Sequence, residues 1–361
     1  MNQTHLEILN LVLSAPTAPF HEQAVAARIS QWAKDRGLEC SADKAGNLLV
    51  HYRGPRRGNR PEWVFAAHMD HPGFVVRKAI GRRVWADFVG GVAGEYFPGT
   101  AVRFFTPDGE LRARVKTRRL RKGEDFPCIT LELDAPAHLA PGTLGMWDLP
   151  AMRVSGRRLA SRACDDVAGV AAVLCVLNDL AQQKAKVNVT GLLTRAEEAG
   201  FIGMLAACEA NTLDKATPIV TIECSKAQPS ARLGDGVVVR VGDKARTFDP
   251  SLTARLSAVA AGLAKEDKDF RFTRALMPGG TCESTPLAIW GYRTAAVCVP
   301  LGNYHNQGPG GRIRPERIDL GDFESLVKLL AALAVDESTA DCDAQLQERL
   351  RGLLKSRRQY L

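Results

Sequence analysis

Apolar positions recur at helical spacing over residues 5–13 (HLEILNLVL) and 22–37 (EQAVAARISQWAKDRG). This predicts two amphipathic helices, with Gly37 as a stop for the second. Two short apolar runs follow, NLLVHY (47–52) and WVFAAHMD (63–70). The second is apolar almost throughout, as expected of a strand covered on both faces. From residue 73 to about 158 the pattern changes. Brief β-type runs (FVVRKAI, RVWADFV, TAVRFFT, LRARVKT, CITLEL) alternate with Gly, Pro and Asp turns, and no long helical period appears. That segment reads as a small all-β unit, a barrel or sandwich.

Beyond residue 158 an α/β rhythm returns. Helices are expected over 166–180, 201–208, 251–264 and 320–334, and strands over 187–194, 218–224, 236–241 and 294–301. The simplest organisation is one discontinuous α/β domain (1–72 and 159–361), interrupted by a β insertion (73–158) suited to oligomerisation or to controlling substrate access. No internal repeat or low-complexity linker breaks it.

Composition changes this picture little. The 361 residues exceed what one compact core usually holds. With 45% hydrophobic and 24% charged residues, the chain has the make-up of a globular protein. No apolar run reaches the roughly 18 residues of a membrane span, and the first residues lack the basic-then-apolar order of a signal peptide. Nine cysteines without CxxC spacing fit free thiols in a reducing cytoplasm better than a disulfide framework. The net charge of +8 is concentrated at 112–122 and 349–358. Aromatic residues do not interleave these stretches as a stacking surface for nucleic acid requires. They read instead as a solvated hairpin and a basic terminal helix.

The candidate chemistry lies at strand ends. His68 and Asp70 close the run WVFAAHMD, and Asp165 immediately precedes the helix at 166–180. Glu197 and Glu198 follow the strand at 187–194, Glu223 follows PIVTI, and His305 follows the strand at 294–301 through a short turn. Each one alone fits a capping or hydrogen-bonded structural residue equally well; Asp165 could be an N-cap. Five segments delivering His, Asp or Glu to one edge of an open α/β sheet fit a ligand site better. Several carboxylates buried together need compensating cations. Nitrogen and oxygen donors without thiolates suit Zn, Co or Mn, and the carboxylates are numerous enough to bridge two ions.

These residues occur in the motifs AHMDHPGF (67–74), CDDVAG (164–169), EEAGFIG (197–203), IECS (222–225) and PLGNYH (300–305). In order and content the set resembles the M42 family of glutamyl, TET-like aminopeptidases, in the clan shared with the M28 and M20 peptidases. The resemblance implies a mixed-sheet αβα sandwich with an inserted β-barrel, and a metallo-aminopeptidase with two divalent ions. By that resemblance His68 binds one ion, Asp70 orients it, Asp165 bridges both, Glu198 and Glu223 each serve one ion, His305 closes the set, and Glu197 is the general base. It further implies homo-oligomers, from dimers up to dodecamers, and a peptide or small-amide substrate.

The chain departs from the family pattern at three places. Glu223 stands where Asp is usual, HPG replaces EIG after H-x-D, and the GGTD motif is GGTCE (279–283). Gly280, Thr281 and Cys282 are therefore expected beside the substrate, with specificity of their own. Cys164 and Cys224 adjoin ligand candidates, but strand alternation points them away, into packing. The alternatives left open are a two-metal amidase or deacylase, or an M20-like carboxypeptidase, acting on another small amide.

Overall fold

The structure is a computed structural model, described here for residues 2–55, 62–336 and 342–361. An eight-stranded mixed sheet forms its centre, in the order Glu39–Ala42, Leu48–Arg53, Asn188–Thr194, Trp63–His68, Ile219–Lys226, Thr294–Leu301, Val237–Gly242, Phe272–Leu276. The four central strands run parallel, and both flanking pairs join them antiparallel. Parallel strands require coverage on both faces, and the central strand shows it residue by residue. Trp63, Phe65 and Ala67 face the main apolar core, while Val64 and Ala66 face a second cluster with Met204, Cys208 and Leu287.

Helices Gln3–Leu13, Val167–Gln182 and Leu320–Val335 cover the first face, and helices Ile202–Glu209 and Ser284–Ile289 cover the second. Val167–Gln182 is buried along nearly its whole length, which explains its almost unbroken apolar sequence.

Between the Trp63–His68 strand and the return to the sheet, six antiparallel strands close into a barrel. Their order is Gly73–Ile80, Arg83–Val89, Cys128–Leu133, Gly109–Arg119, Ala101–Thr106, Leu144–Trp147. Closure leaves no unpaired edge. The interior is aromatic: Phe88 meets Phe97 edge-on at 4.8 Å between ring centres, and Phe74 meets Trp147 at 4.8 Å. A three-stranded sheet of Arg153–Ser155, Arg158–Ser161 and Glu316–Asp319 then leads the chain back toward Asp165.

Candidate metal centre

His68 is the last residue of its strand. The expected strand over 63–70 thus ends two residues early, and this frees Asp70 for another task. The Asp70 carboxylate accepts from the backbone N–H of Glu197 (2.9 Å) and of Glu198 (3.0 Å). Its Oδ1 also lies 3.5 Å from His68 Nδ1. Asp70 therefore fixes the paired glutamates through its carboxylate, and its carbonyl lies 3.1 Å from His68 Nδ1.

Those glutamates sit in a turn beyond Asn188–Thr194, not in the strand itself. Asn47 Oδ1 accepts from Arg195 N, and Glu22 Oε1 accepts from Ala196 N. Gly203 permits the close packing: a Cβ there would lie 2.4 Å from both Arg195 O and Asn47 Oδ1. The turn splits the two side chains between two groups of potential metal ligands. Glu197 joins His68 and Glu223; Glu198 joins Asp165 and His305.

Asp165 lies between these groups. Its Oδ1 is 3.8 Å from His68 Nε2, and its Oδ2 is 3.7 Å from His305 Nε2. Glu316 holds this arrangement in place. Its Oε2 accepts from Cys164 N (2.7 Å) and Asp165 N (3.0 Å), and its Oε1 accepts from His305 N (2.8 Å). His71 Nδ1 lies 2.6 Å from the Asp165 carbonyl, and its Nε2 lies 3.0 Å from Asn306 Oδ1. The barrel contributes as well: the Gly91 carbonyl lies 2.6 Å from His305 Nδ1, leaving Nε2 toward the cluster. Asn303, His305 and Asn306 all adopt positive φ, at 59°, 51° and 61°. Such strain persists only where the surroundings enforce it.

The donor set fits divalent cations. Asp165 Oδ1 and Glu223 Oε1 are buried without a hydrogen-bond partner, and the buried Glu198 Oε1 lies 2.9 Å from His305 Nε2. Burial, together with the charges of Glu223 and Glu198, pushes the Asp165 carboxyl well above the usual carboxylate range. Burial alone would push the His68 imidazole down, yet the Glu197, Asp70 and Glu223 carboxylates outweigh it and raise it well above its usual range. Anionic crowding of this kind is relieved by cations.

A cavity of about 290 Å³ opens onto both groups. Gly280, Thr281 and Cys282 line it with Phe201, Ser225, Arg240 and Tyr304. The Cys282 side chain packs with Phe248 and Ala296. Cys164 and Cys224 both belong to the main apolar core. The strand expected to end near Glu223 continues to Lys226, and alternation along it turns Cys224 away from the carboxylate beside it.

All seven candidate ligand and catalytic residues thus converge. Glu316 and Arg240 were not singled out from the sequence, and His71 entered only as part of the HPG departure. Glu316 sits in the unremarkable run RPERID, whose neighbours carry no periodic signal. The pairing of Glu316–Asp319 with Arg158–Ser161 and the bridge between Arg317 and Gly302 bring it under Asp165.

The fold and site define a metallohydrolase-type α/β protein with a barrel insertion. Its sequence matches the description M42 glutamyl aminopeptidase over residues 131–329. That is more than half of the chain, and the chain belongs to this family. It is a peptide-bond hydrolase of the aminopeptidase type.

Solved structures share the fold. An aminopeptidase from the archaeon Desulfurococcus kamchatkensis is 20% identical over 94% of this chain and 96% of its own, with a TM-score of 0.75. A TET aminopeptidase from a marine sediment Thaumarchaeota archaeon is 17% identical over 94% and 98%, with a TM-score of 0.76. The Pyrococcus horikoshii TET1 peptidase, which can assemble into a tetrahedron or a large octahedral shell, is 21% identical over 92% and 99%, with a TM-score of 0.72. No curated protein matches the sequence. No described helix is long and apolar enough to cross a membrane.

Proposed function

We propose that the chain is a two-metal aminopeptidase that removes N-terminal residues from short peptides. In this reading His68, Asp165 and Glu223 hold one divalent ion, and Asp165, Glu198 and His305 hold the other. The observation that carries it is the position of Asp165, one carboxylate oxygen toward each histidine. The donors are nitrogen and oxygen alone, which favours Zn, Co or Mn. When bound, such ions supply Lewis acidity, lowering the pKa of nearby water and polarising the scissile carbonyl.

Glu197 supplies proton transfer. Its Oε2 lies 3.9 Å from His68 Nε2, at the edge of the first group, where it accepts the proton of the attacking water and returns it to the leaving amine. Asp70 keeps Glu197 and Glu198 in register through their backbone amides and holds the His68 ring. Glu316 holds Asp165 and His305 from below.

The assemblies formed by the TET relatives support a homo-oligomer, from a dimer up to a dodecamer, built partly through the barrel. The eight cysteines whose side chains are described are free, which supports a reducing, cytoplasmic setting.

The reading is tested by hydrolysis of a panel of short peptides with free and with blocked N-termini, in the presence of Zn, Co or Mn. Cleavage confined to peptides with a free N-terminus supports it. Cleavage of N-acylated amino acids alone would move the activity to the amidase class.

A further inference from the structure

The aminopeptidase reading leaves the basic terminal helix without a role. This helix, Cys342–Arg357, follows Leu320–Val335, and the family match ends before it, at residue 329. Its main neighbour in the fold is the helix Pro250–Glu266, yet every residue from 346 to 361 remains exposed. Leu346, Leu350 and Leu354 are 51%, 55% and 55% exposed, and Leu353 is 41% exposed. Tyr360 and Leu361 are more open still. So much uncovered apolar surface on one short element marks an interaction face.

The four leucines share one side of the helix. At 3.6 residues per turn, positions 346, 350, 353 and 354 fall within an arc of roughly 100°. Arg349 borders this arc on one side and Arg351 on the other, and Arg357 extends it toward the C-terminal end. Glu348 and Lys355 fall on the far side. Residues 346–361 carry five cationic side chains, Arg349, Arg351, Lys355, Arg357 and Arg358, against the single carboxylate of Glu348. Carboxylates at the ends of the neighbouring helices pair elsewhere, Asp336 with Arg255 and Asp267 with Lys328.

The charge decides what covers the leucines. A second copy of the same helix would set five cations against five, and like charges across an interface are unfavourable. A surface of phosphates is complementary, because guanidinium groups match phosphate oxygens through paired hydrogen bonds. We infer that this helix lies flat on an anionic lipid surface, with its leucines at the edge of the acyl chains and its flanking arginines reaching back to the headgroups. Low overall hydrophobicity, a leucine stripe and basic flanks are the features of an interfacial helix, and long basic side chains bend toward the headgroups while their stems stay apolar. Peripheral binding needs no membrane span. The inference stands apart from the aminopeptidase reading and does not depend on it.

The test is flotation of the full-length protein with two kinds of vesicle, phosphatidylcholine alone and an equimolar mixture of phosphatidylcholine and phosphatidylglycerol. Wild type should partition onto the anionic vesicles at least roughly 10-fold more than onto the neutral ones. Raising the salt from about 0.1 M to about 1 M should remove most of that difference. Two variants separate the contributions. Leu350→Gln with Leu353→Gln breaks the stripe, and Arg351→Gln with Lys355→Gln and Arg358→Gln removes charge. Each should lose most of the binding to anionic vesicles while keeping the wild-type Tm, because the altered side chains are exposed.

The inference is overturned if wild type does not float with the anionic vesicles, if it floats equally with the neutral ones, or if either variant floats as wild type does. A lower Tm in the leucine variant would place those side chains in the fold and overturn it. A smaller assembly in the leucine variant, read by light scattering, would show that a second copy covers the face. Binding of wild type to soluble polyglutamate but not to the vesicles would assign the face to an acidic protein. Either of these results also overturns it.

Discussion

The pair Glu197 and Glu198 shows how one turn divides two like charges. Glu198 Oε1 lies 2.9 Å from His305 Nε2, whereas Glu197 Oε2 approaches His68 Nε2. Their substitutions should therefore differ. Glu197→Gln is expected to keep both metal equivalents and lose roughly 100- to 10,000-fold in kcat, measured by elemental analysis beside steady-state kinetics. Glu198→Ala should lose one equivalent of metal along with its activity. Glu316 makes a third case without touching the cavity. Glu316→Ala leaves three buried N–H groups unpaired, those of Cys164, Asp165 and His305. Each orphaned group costs on the order of 1–3 kcal/mol, so lower stability in denaturant and weaker metal retention are both expected.

These residues also mark how far the sequence could be read. His68, Asp165 and His305 follow apolar runs or precede a helix, so their positions were visible, whereas Glu223 lies within a strand that runs on to Lys226. Glu316 and His71 act through backbone contacts set by the tertiary fold, and no local spacing encodes those. Arg240 sits inside an apolar strand, GVVVRV, where a single charge reads as an exposed face until burial shows otherwise.

Among the elements, those with long apolar periods appear close to their expected limits. The helix expected over 320–334 is Leu320–Val335, and the strand over 294–301 is Thr294–Leu301. Edge strands Glu39–Ala42 and Phe272–Leu276 and the small sheet of Arg153–Ser155 and Arg158–Ser161 were not anticipated. They are short, and most of their positions are exposed or half-buried, so they carry no hydrophobic alternation.

The first helix illustrates a contact that pattern cannot supply. Buried His5 places Nε2 3.0 Å from Asp179 Oδ2 on Val167–Gln182, and Nδ1 3.1 Å from Glu324 Oε1 on Leu320–Val335. Burial opposes its charge, but the hydrogen bonds and charges of the two carboxylates outweigh burial and raise it to about 9. Because the folded value exceeds the unfolded one, the contribution is complete below about pH 6.5 and is lost as pH rises through about 9. The stability difference between wild type and His5→Gln, read by denaturant unfolding, should be on the order of 3 kcal/mol at pH 6 and shrink toward pH 10.

At the scale of the molecule, the barrel does more than fill a gap between two halves of the sheet. Besides the Gly91 carbonyl on His305, Tyr96 donates its hydroxyl to Gly308 O, and Ala93 N donates to Gln307 Oε1. The barrel is thus docked on the loop that carries a candidate ligand. Phe97 is fully buried among Phe74, Phe88 and Trp147. Phe97→Ala should destabilise by about 3–5 kcal/mol, and it should weaken metal retention although the substitution lies outside the cluster. The change in sequence texture at residue 73 revealed the insertion. Its docking contacts run through backbone carbonyls and amides, which a sequence pattern does not report.

The central claim is a pair of metal ions held by two groups that share Asp165. Its most direct test is the metal content of purified, Zn-, Co- or Mn-reconstituted protein, measured for the wild type, Glu197→Gln and Glu198→Ala together with peptide turnover. The account predicts two equivalents in the wild type, two equivalents with little turnover in Glu197→Gln, and one or fewer in Glu198→Ala. One equivalent or none in an active wild type, or full activity in both variants, would contradict it.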